Sequence, residues 1–567
     1  MFEKIFAIPK SFVSSDGKKL NFAAYLFLIL LCIGFFTPGI ISMPPTDRDE
    51  SSFAQASKQM IETGNYTDIR LQKEPRYKKP IGIYWLQSSA VRLLNPKHLN
   101  EIWAYRVPSF LGASIAVLMT AALGALLFTP ESGLLAAIML ASCILLNVEA
   151  RLAKTDAALL ASIVTAMYGL ANAWRSRQES GKKLSLPDGL LFWTALAIGI
   201  LIKGPIVLLP ILSVLLWLRI SDKNIRWFRS LRPALGLPYA LLLIAPWFIA
   251  ISMQSHGAFM QQSAGNDMLA KIWQGQDRGM IPPGAHLMLM PILFFPFSLF
   301  VAFAAPDIWK NRREPAVKFC LGWIVPTWIV FEISLTKLPH YVLPAYPAIA
   351  LLTGKFVIDG LPTIAASKRR FPLILTVGFW VLLGAGIAFV FSAIPFAADA
   401  IVNIPQIVAG VLLVLLQIVA LVFLRQQKLA SLVILAGGMM IFAATTFGYS
   451  IPRLQHVWMS REIVSAADRI KPCPQSQIVS AGYREPSLAF LAGTDTLMET
   501  NGTSAAEDLK QDSCRVVAIT AKHSQEFIDA FAGAAQQPQA AATINGLNSG
   551  HGAETALTLY ILRKAAP

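Results

Sequence analysis

The hydrophobicity of this chain is cut into runs of about 17–25 residues, and that period limits what it can become. A helix needs about 20 apolar residues to cross a bilayer, and in lipid the backbone must satisfy its own hydrogen bonds. The runs lie near 22–42, 103–128, 131–148, 156–173, 189–202, 204–219, 233–252, 285–305, 317–334, 341–359, 371–393, 403–424 and 429–450. They predict an all-α polytopic membrane protein of about thirteen transmembrane helices. Composition agrees: 55% of the 567 residues are hydrophobic and 14% charged, against roughly 25% charged in a soluble domain. The first run follows Lys4, Lys10, Lys18 and Lys19; it is too long for a signal-peptide core and reads as a retained helix.

The net charge of +16 raises the question of nucleic acid, but its placement excludes that partner. Lys and Arg gather in short loops between apolar runs, the pattern that orients a membrane protein. With a cytoplasmic N-terminus, the cytoplasmic loops hold Arg175, Arg177, Lys182 and Lys183, then Arg219, Lys223, Arg226, Arg229 and Arg232. Lys310, Arg312 and Arg313, then Lys368, Arg369 and Arg370, and finally Arg425 and Lys428 complete the set. The short outside loops carry far fewer cations, so the tail, about 451–567, is predicted to lie outside.

That tail alternates β-like runs (477–480, 515–519, 556–560) with helix-like stretches (486–492, 523–533), predicting a small C-terminal α/β soluble domain after a transmembrane domain over 1–450. Cys473 and Cys514 lie in it and either pair or stay separate thiols, whereas Cys32, Cys143 and Cys320 sit in apolar runs as small hydrophobes. Two other outside segments are long, 43–100 and 253–284. The first contains a helical pattern at 51–60 and an amphipathic stretch with interfacial aromatics at 81–86.

Unusual polar residues collect at the outside-facing span ends: Asp47, Asp49, Glu50, Arg76, Lys78, Lys79, Arg151, Lys154, Asp156, Lys203, Lys337 and His340. Ionisable groups at membrane depth are costly and mark pathways or sites; any one lysine alone reads equally well as a snorkelling end. Lys79, Arg151, Lys203 and Lys337 suit a phosphate. A carboxylate beside them suits removal of a proton from an attacking hydroxyl, and Asp47-Arg48-Asp49-Glu50 is its best source. His256, His286 and His456 read either as solvated loop histidines or as acid–base groups, with His286 the best placed of the three.

These residues resemble a family. Pro45-Thr46-Asp47-Arg48-Asp49-Glu50-Ser51-Ser52-Phe53-Ala54, with Met60, Gly64 and Tyr66, is similar to the first outside loop of the bacterial aminoarabinose-transferase and protein-O-mannosyltransferase-like enzymes, the membrane GT-C glycosyltransferases. Tyr77-Lys78-Lys79-Pro80-Ile81, Arg151-Leu152-Ala153-Lys154-Thr155-Asp156, Lys203-Gly204-Pro205, Ala245-Pro246-Trp247-Phe248 and Lys337-Leu338-Pro339-His340-Tyr341 follow in that family's order. The resemblance implies transfer of a sugar from a polyprenyl-phosphate donor to an acceptor on the outer membrane face, with lipid A or core oligosaccharide the first expectation. It implies Asp49 as catalytic carboxylate, Glu50 as its supporting neighbour, Asp156 as a second acid, and Lys79 and Tyr341 on the donor phosphate.

Two departures qualify it. The aminoarabinose enzymes carry an acidic residue before the Lys-Pro lysine and a His in the second long outside loop, a pair implicated in metal binding. Here Lys78 takes the first position and the loop reads Gly265-Asn266-Asp267-Met268-Leu269-Ala270-Lys271. No cofactor and no metal is therefore expected, and Lys271 stands in for a phosphate-binding Arg. The rival reading, a transporter or lipid flippase, calls for midplane charges and an internal repeat; the charges here gather at one face.

Overall fold

A computed structural model describes residues 10–179, 184–263, 282–360, 370–426, 430–550 and 552–562. Helices occupy every apolar run. The first ten described here are α1 (Phe22–Phe36), α2 (Asp49–Thr63), α3 (Gly82–Leu94), α4 (Trp103–Leu127), α5 (Pro130–Ser142), α6 (Ile144–Glu149), α7 (Asp156–Glu179), α8 (Leu186–Lys203), α9 (Leu208–Asp222) and α10 (Pro233–Gln254). Later runs carry helices Pro315–Ile333, Tyr346–Ile358, Arg370–Asp399, Ile404–Arg425 and Ala430–Thr445. Among the described residues nine helical segments are long and apolar enough to span a bilayer, with Leu186–Asp222 counted as one; α1 and α5 are apolar but shorter. The run at 285–305 is divided into Ala285–Leu293 and Ser298–Lys310, separated by a turn that contains Pro296, which has no N–H to continue the ladder. The chain is thus a multi-pass membrane protein, and the count of thirteen exceeds the nine full-length spans.

The spans touch through small residues. A Cβ on Gly124 of α4 would lie 2.3 Å from the Cα of Gly133 in α5, so these backbones meet directly, as helices do where lipid offers no hydrophobic drive. Between α8 and α9 the chain turns at Gly204, whose φ of +75° suits glycine.

The segment between α1 and α4 forms a platform on one end of the bundle. Its helix α2 buries Ser51, Ser52, Gln55, Ser57 and Lys58 as well as Phe53 and Met60. Such a polar helix is buried because each side is covered by hydrogen-bonding surface. Below it, Ser57 Oγ donates to Gln87 Oε1 of α3 at 2.7 Å. Above it lies the C-terminal domain.

Strands β1 (Arg70–Leu71) and β2 (Glu74–Pro75) form a short ribbon between α2 and α3, and the C-terminal domain contains a five-stranded sheet in the order β4-β3-β5-β7-β6: β3 Ile478–Ala481, β4 Leu497–Glu499, β5 Val516–Thr520, β6 Gln539–Asn548 and β7 Ala553–Ile561. β3 pairs in parallel with β4 and β5, and β7 is antiparallel to β5 and β6. Helices Met459–Ile470, Pro486–Ala492, Gly502–Gln511 and Ser524–Asp529 accompany it. A Cys473–Cys514 disulfide ties the segments leading into β3 and β5. The domain rests on α2 through Gln55 Nε2 to Thr494 Oγ1 (2.7 Å) and Lys58 Nζ to the Phe490 carbonyl (3.2 Å), and on the start of α4 through an edge-on Tyr105–Phe490 ring pair.

Candidate active site

The turn before α2 separates its three acids. Asp47 accepts from Ser487 Oγ and, at 2.7 Å, from Ser549 Oγ, both in the C-terminal domain. Burial raises the Asp47 pKa, and the two serine hydrogen bonds work against the rise. Glu50 is fully buried. It accepts from Arg106 Nε (2.8 Å) and Nη2 (3.1 Å), from the Ala153 N–H (2.9 Å), and from the Thr46 N–H and hydroxyl (both 2.9 Å). Burial would raise its pKa, but Arg106 together with the Thr46 and Ala153 N–H groups outweighs that and holds the carboxyl below its ordinary value. Between them Arg48 takes φ +61°, ψ −104°, a region sparsely allowed for a side-chain-bearing residue, and Asp49 is exposed.

A second cluster forms where α6 turns into α7. Lys154 Nζ lies 3.1 Å from Glu149 Oε1, and Lys203 Nζ lies 2.5 Å from Asp156 Oδ1. The His340 ring bridges the two acids, with Nδ1 3.7 Å from Glu149 and Nε2 3.9 Å from Asp156. Burial alone would lower the Lys154 pKa, but Glu149 foremost, with Asp156 and Asp49, holds it up. Asp49 is therefore within electrostatic reach of this cluster. Glu149 Oε2 is buried with no hydrogen-bond partner among the described residues.

Cations and an aromatic surround it. Lys203 Nζ stands 5.9 Å from the Tyr341 ring centre. Pro80 Cγ lies 3.9 Å from where Gly204 would carry a Cβ, which sets the Lys79-Pro80 turn beside Lys203-Gly204. Lys337 is buried on the segment leading to His340, and its ammonium donates to the Ser334 carbonyl at 2.8 Å.

Three expected site residues do not join this gathering. Arg151 is fully buried and donates to the carbonyls of Phe35, Pro38 and Asn147, so its fork fastens α1 and is turned away from any phosphate. His286 is buried with Nε2 3.1 Å from the Leu338 carbonyl and Nδ1 3.6 Å from Glu332, behind the Lys337 segment. Glu50 has its carboxylate fully engaged by internal donors and is a positioning group. Lys271 lies outside the described residues. Glu149 and Arg106 were absent from the expected set, although an ionisable group at the end or near the start of an apolar run was itself the signal. Lys78 offers an ammonium where the resembled enzymes carry a metal-binding acid; among the described residues no three His, Cys, Asp or Glu side chains converge as ligands.

Residues 78–249 match the family described as dolichyl-phosphate-mannose-protein mannosyltransferase. The chain is 25% identical over 328 residues to an undecaprenyl phosphate-alpha-4-amino-4-deoxy-L-arabinose arabinosyl transferase of Pseudomonas fluorescens, covering 57% of each chain. It is 24% identical to the Erwinia tasmaniensis enzyme of the same description, over 54% of each chain. The matched region thus spans less than two thirds of these relatives. The fold is that of ArnT from Cupriavidus metallidurans, solved bound to undecaprenyl phosphate: TM-score 0.71, 18% identity, 96% of this chain and 98% of that one covered. An Archaeoglobus fulgidus oligosaccharyltransferase is a more distant likeness, with TM-score 0.52, 10% identity and coverage of 88% and 69%. The likeness read from the motifs holds at the level of sequence, and the GT-C fold extends over nearly the whole chain.

Proposed function

We propose that this protein is a glycosyltransferase that moves a sugar from a polyprenyl-phosphate donor to an acceptor at the outer face of the inner membrane. The observation that carries the reading is the cluster of Glu149, Lys154, Asp156, Lys203 and His340, with Tyr341 beside Lys203 and the Lys79-Pro80 turn beside Gly204. Relatives named for an undecaprenyl-phosphate sugar support the donor class. So does the shared fold with a protein solved with undecaprenyl phosphate.

In this reading Lys79, Lys203, Lys337 and Tyr341 bind the donor phosphate, and Lys271 is a further candidate. Asp156 pairs with Lys203 and keeps its ammonium in place. Asp49, exposed at the start of α2, takes the proton of the attacking hydroxyl as the new C–O bond forms at the anomeric carbon. The bond from that carbon to the phosphate oxygen breaks, and the polyprenyl phosphate leaves with the electron pair. One displacement inverts the anomeric centre. The acceptor is a membrane lipid or lipid-linked glycan, with lipid A or core oligosaccharide preferred.

The division into a catalytic transmembrane domain (1–450) and a periplasmic domain (451–567), with the N-terminus in the cytoplasm, belongs to the same proposal. The cation-rich loops support it, as does the Cys473–Cys514 disulfide, which suits an oxidising compartment. Purified protein in lipid, given labelled polyprenyl-phosphate sugar and lipid A, should transfer label, and Asp49→Asn should nearly abolish transfer. Full activity in that variant would overturn the role of Asp49. Transport of the labelled lipid without transfer would favour the flippase reading.

A further inference from the structure

The acids of the turn before α2 are held from opposite directions, and the residue between them is strained. On one side, Glu50 is fixed by Arg106 of α4 and by the Ala153 N–H at the start of the catalytic cluster's turn. On the other, among the described residues, the Asp47 carboxylate is gripped by the C-terminal domain alone, one oxygen by Ser487 and the other by Ser549. A non-glycine residue at φ +61°, ψ −104° persists only where its surroundings over-determine it. Arg48 is exposed, so its own side chain is not buried in a packing that would impose that conformation. The two neighbouring anchors do.

Both serines are themselves held. Ser487 is buried and sits 2.6 Å from Ser460 Oγ, which in turn lies 2.8 Å from Tyr483 Oη. Ser549 rides on a turn closed by the Gly552 N–H to the Asn548 carbonyl at 2.7 Å and by the Gly550 N–H to Asn548 Oδ1 at 3.0 Å. Gly550 packs so closely on Glu485 that a Cβ there would meet its carboxylate at 2.2 Å. The grip therefore comes from a preformed surface of the folded domain.

We infer that the C-terminal domain sets the position of Asp49: Ser487 and Ser549, by holding Asp47, are positioning residues for the catalytic turn. This rests on the transferase reading for its consequence, but the grip itself is a property of the fold. A carboxylate misplaced by about 1 Å loses rate steeply, whereas the lysines assigned to the donor phosphate stand on other elements. The grip should thus govern turnover and leave donor affinity largely alone.

The test uses the full-length protein in lipid with Ser487→Ala/Ser549→Ala, and Ser549→Thr as the variant that keeps the exposed hydroxyl. Trypsin cleavage between Arg48 and Asp49, followed by mass spectrometry, reports the turn without reference to activity. The double variant should be cut about tenfold faster and turn over about tenfold more slowly, with the KM for the polyprenyl-phosphate sugar within about twofold of wild type. Ser549→Thr should match wild type in both readouts. Unchanged cleavage in the double variant would overturn the grip, and faster cleavage with unchanged turnover would overturn the positioning role. A wild-type protein that transfers no sugar would overturn the transferase reading alone, with cleavage still deciding the grip.

Discussion

Glu50→Gln tests whether the anchor of the turn before α2 on its Arg106 side is as strong as its geometry requires. The wild-type carboxylate accepts five hydrogen bonds, two from Arg106, two from Thr46 and one from the Ala153 N–H. An amide of the same shape must put its NH2 group where one oxygen was. In one orientation it faces Arg106 Nε and the Ala153 N–H; in the other it faces Arg106 Nη2 and the Thr46 N–H. Either way donors meet donors, and the buried guanidinium loses its counter-charge. Breaking a buried pair from one side costs about 3–5 kcal/mol. At 1.4 kcal/mol per factor of ten, opening of segment 43–53 should become at least about a hundredfold more frequent. Hydrogen exchange of the peptides over 43–53, read by mass spectrometry in nanodiscs, measures this directly, with the Ile404–Arg425 helix as internal reference. Protection within about threefold of wild type would refute the argument that Glu50 is the strut of the turn.

Other outcomes follow from the same geometry. Because Arg106 depresses the Glu50 pKa, Glu50 contributes stability that is complete above its ordinary value near 4.5 and lost as pH falls through the lower folded value. Exchange protection of 43–53 should therefore be flat above about pH 5 and fall below it, and Glu50→Gln should lose that acid dependence. Lys203→Met removes the cation paired with Asp156 and should raise the donor KM about tenfold or more in steady-state kinetics. Glu149→Gln keeps its shape but takes away the charge shared by Lys154 and His340; transfer should fall about tenfold or more, and thermal stability should fall with it because the buried Lys154 ammonium loses its nearest counter-charge. Cys473→Ser opens a bridge spanning 41 residues, worth about 4 kcal/mol by the chain-entropy relation, and should loosen exchange in β3 and β5 while sparing the membrane helices.

The membrane part was legible because lipid leaves the backbone so few options. Every apolar run carries a helix, and the cluster of Lys154, Asp156, Lys203 and His340 was legible as cations and carboxylates gathered at span ends. Adjacency at Asp49-Glu50 left their partners unread: consecutive helical residues point about 100° apart, so Asp49 is exposed while Glu50 is buried against Arg106. Arg151 misled for a related reason, since a motif gives spacing but not the direction of a long side chain. In the tail, strands 477–480, 515–519 and 556–560 were readable as β3, β5 and β7. β4 is only three residues, and β6, Gln-Ala-Ala-Ala-Thr-Ile-Asn-Gly-Leu-Asn, has little β propensity; each is set by its neighbour strand. The cysteines stayed undecided because pairing depends on a Cα separation, here 5.5 Å, that only the fold supplies.

The Ser549–Asp47 hydrogen bond joins residues 502 positions apart, and that separation is also an interval of time. At about 5–20 residues per second, roughly 25–100 s pass between synthesis of Asp47 and synthesis of its last partner. During that interval every membrane helix after α1 is made, but the turn that presents Asp49 lacks its second clasp. A chain truncated anywhere before Ser549 would insert and yet never complete it. The turn that presents Asp49 is thus clasped from both sides only on molecules whose synthesis has passed Ser549.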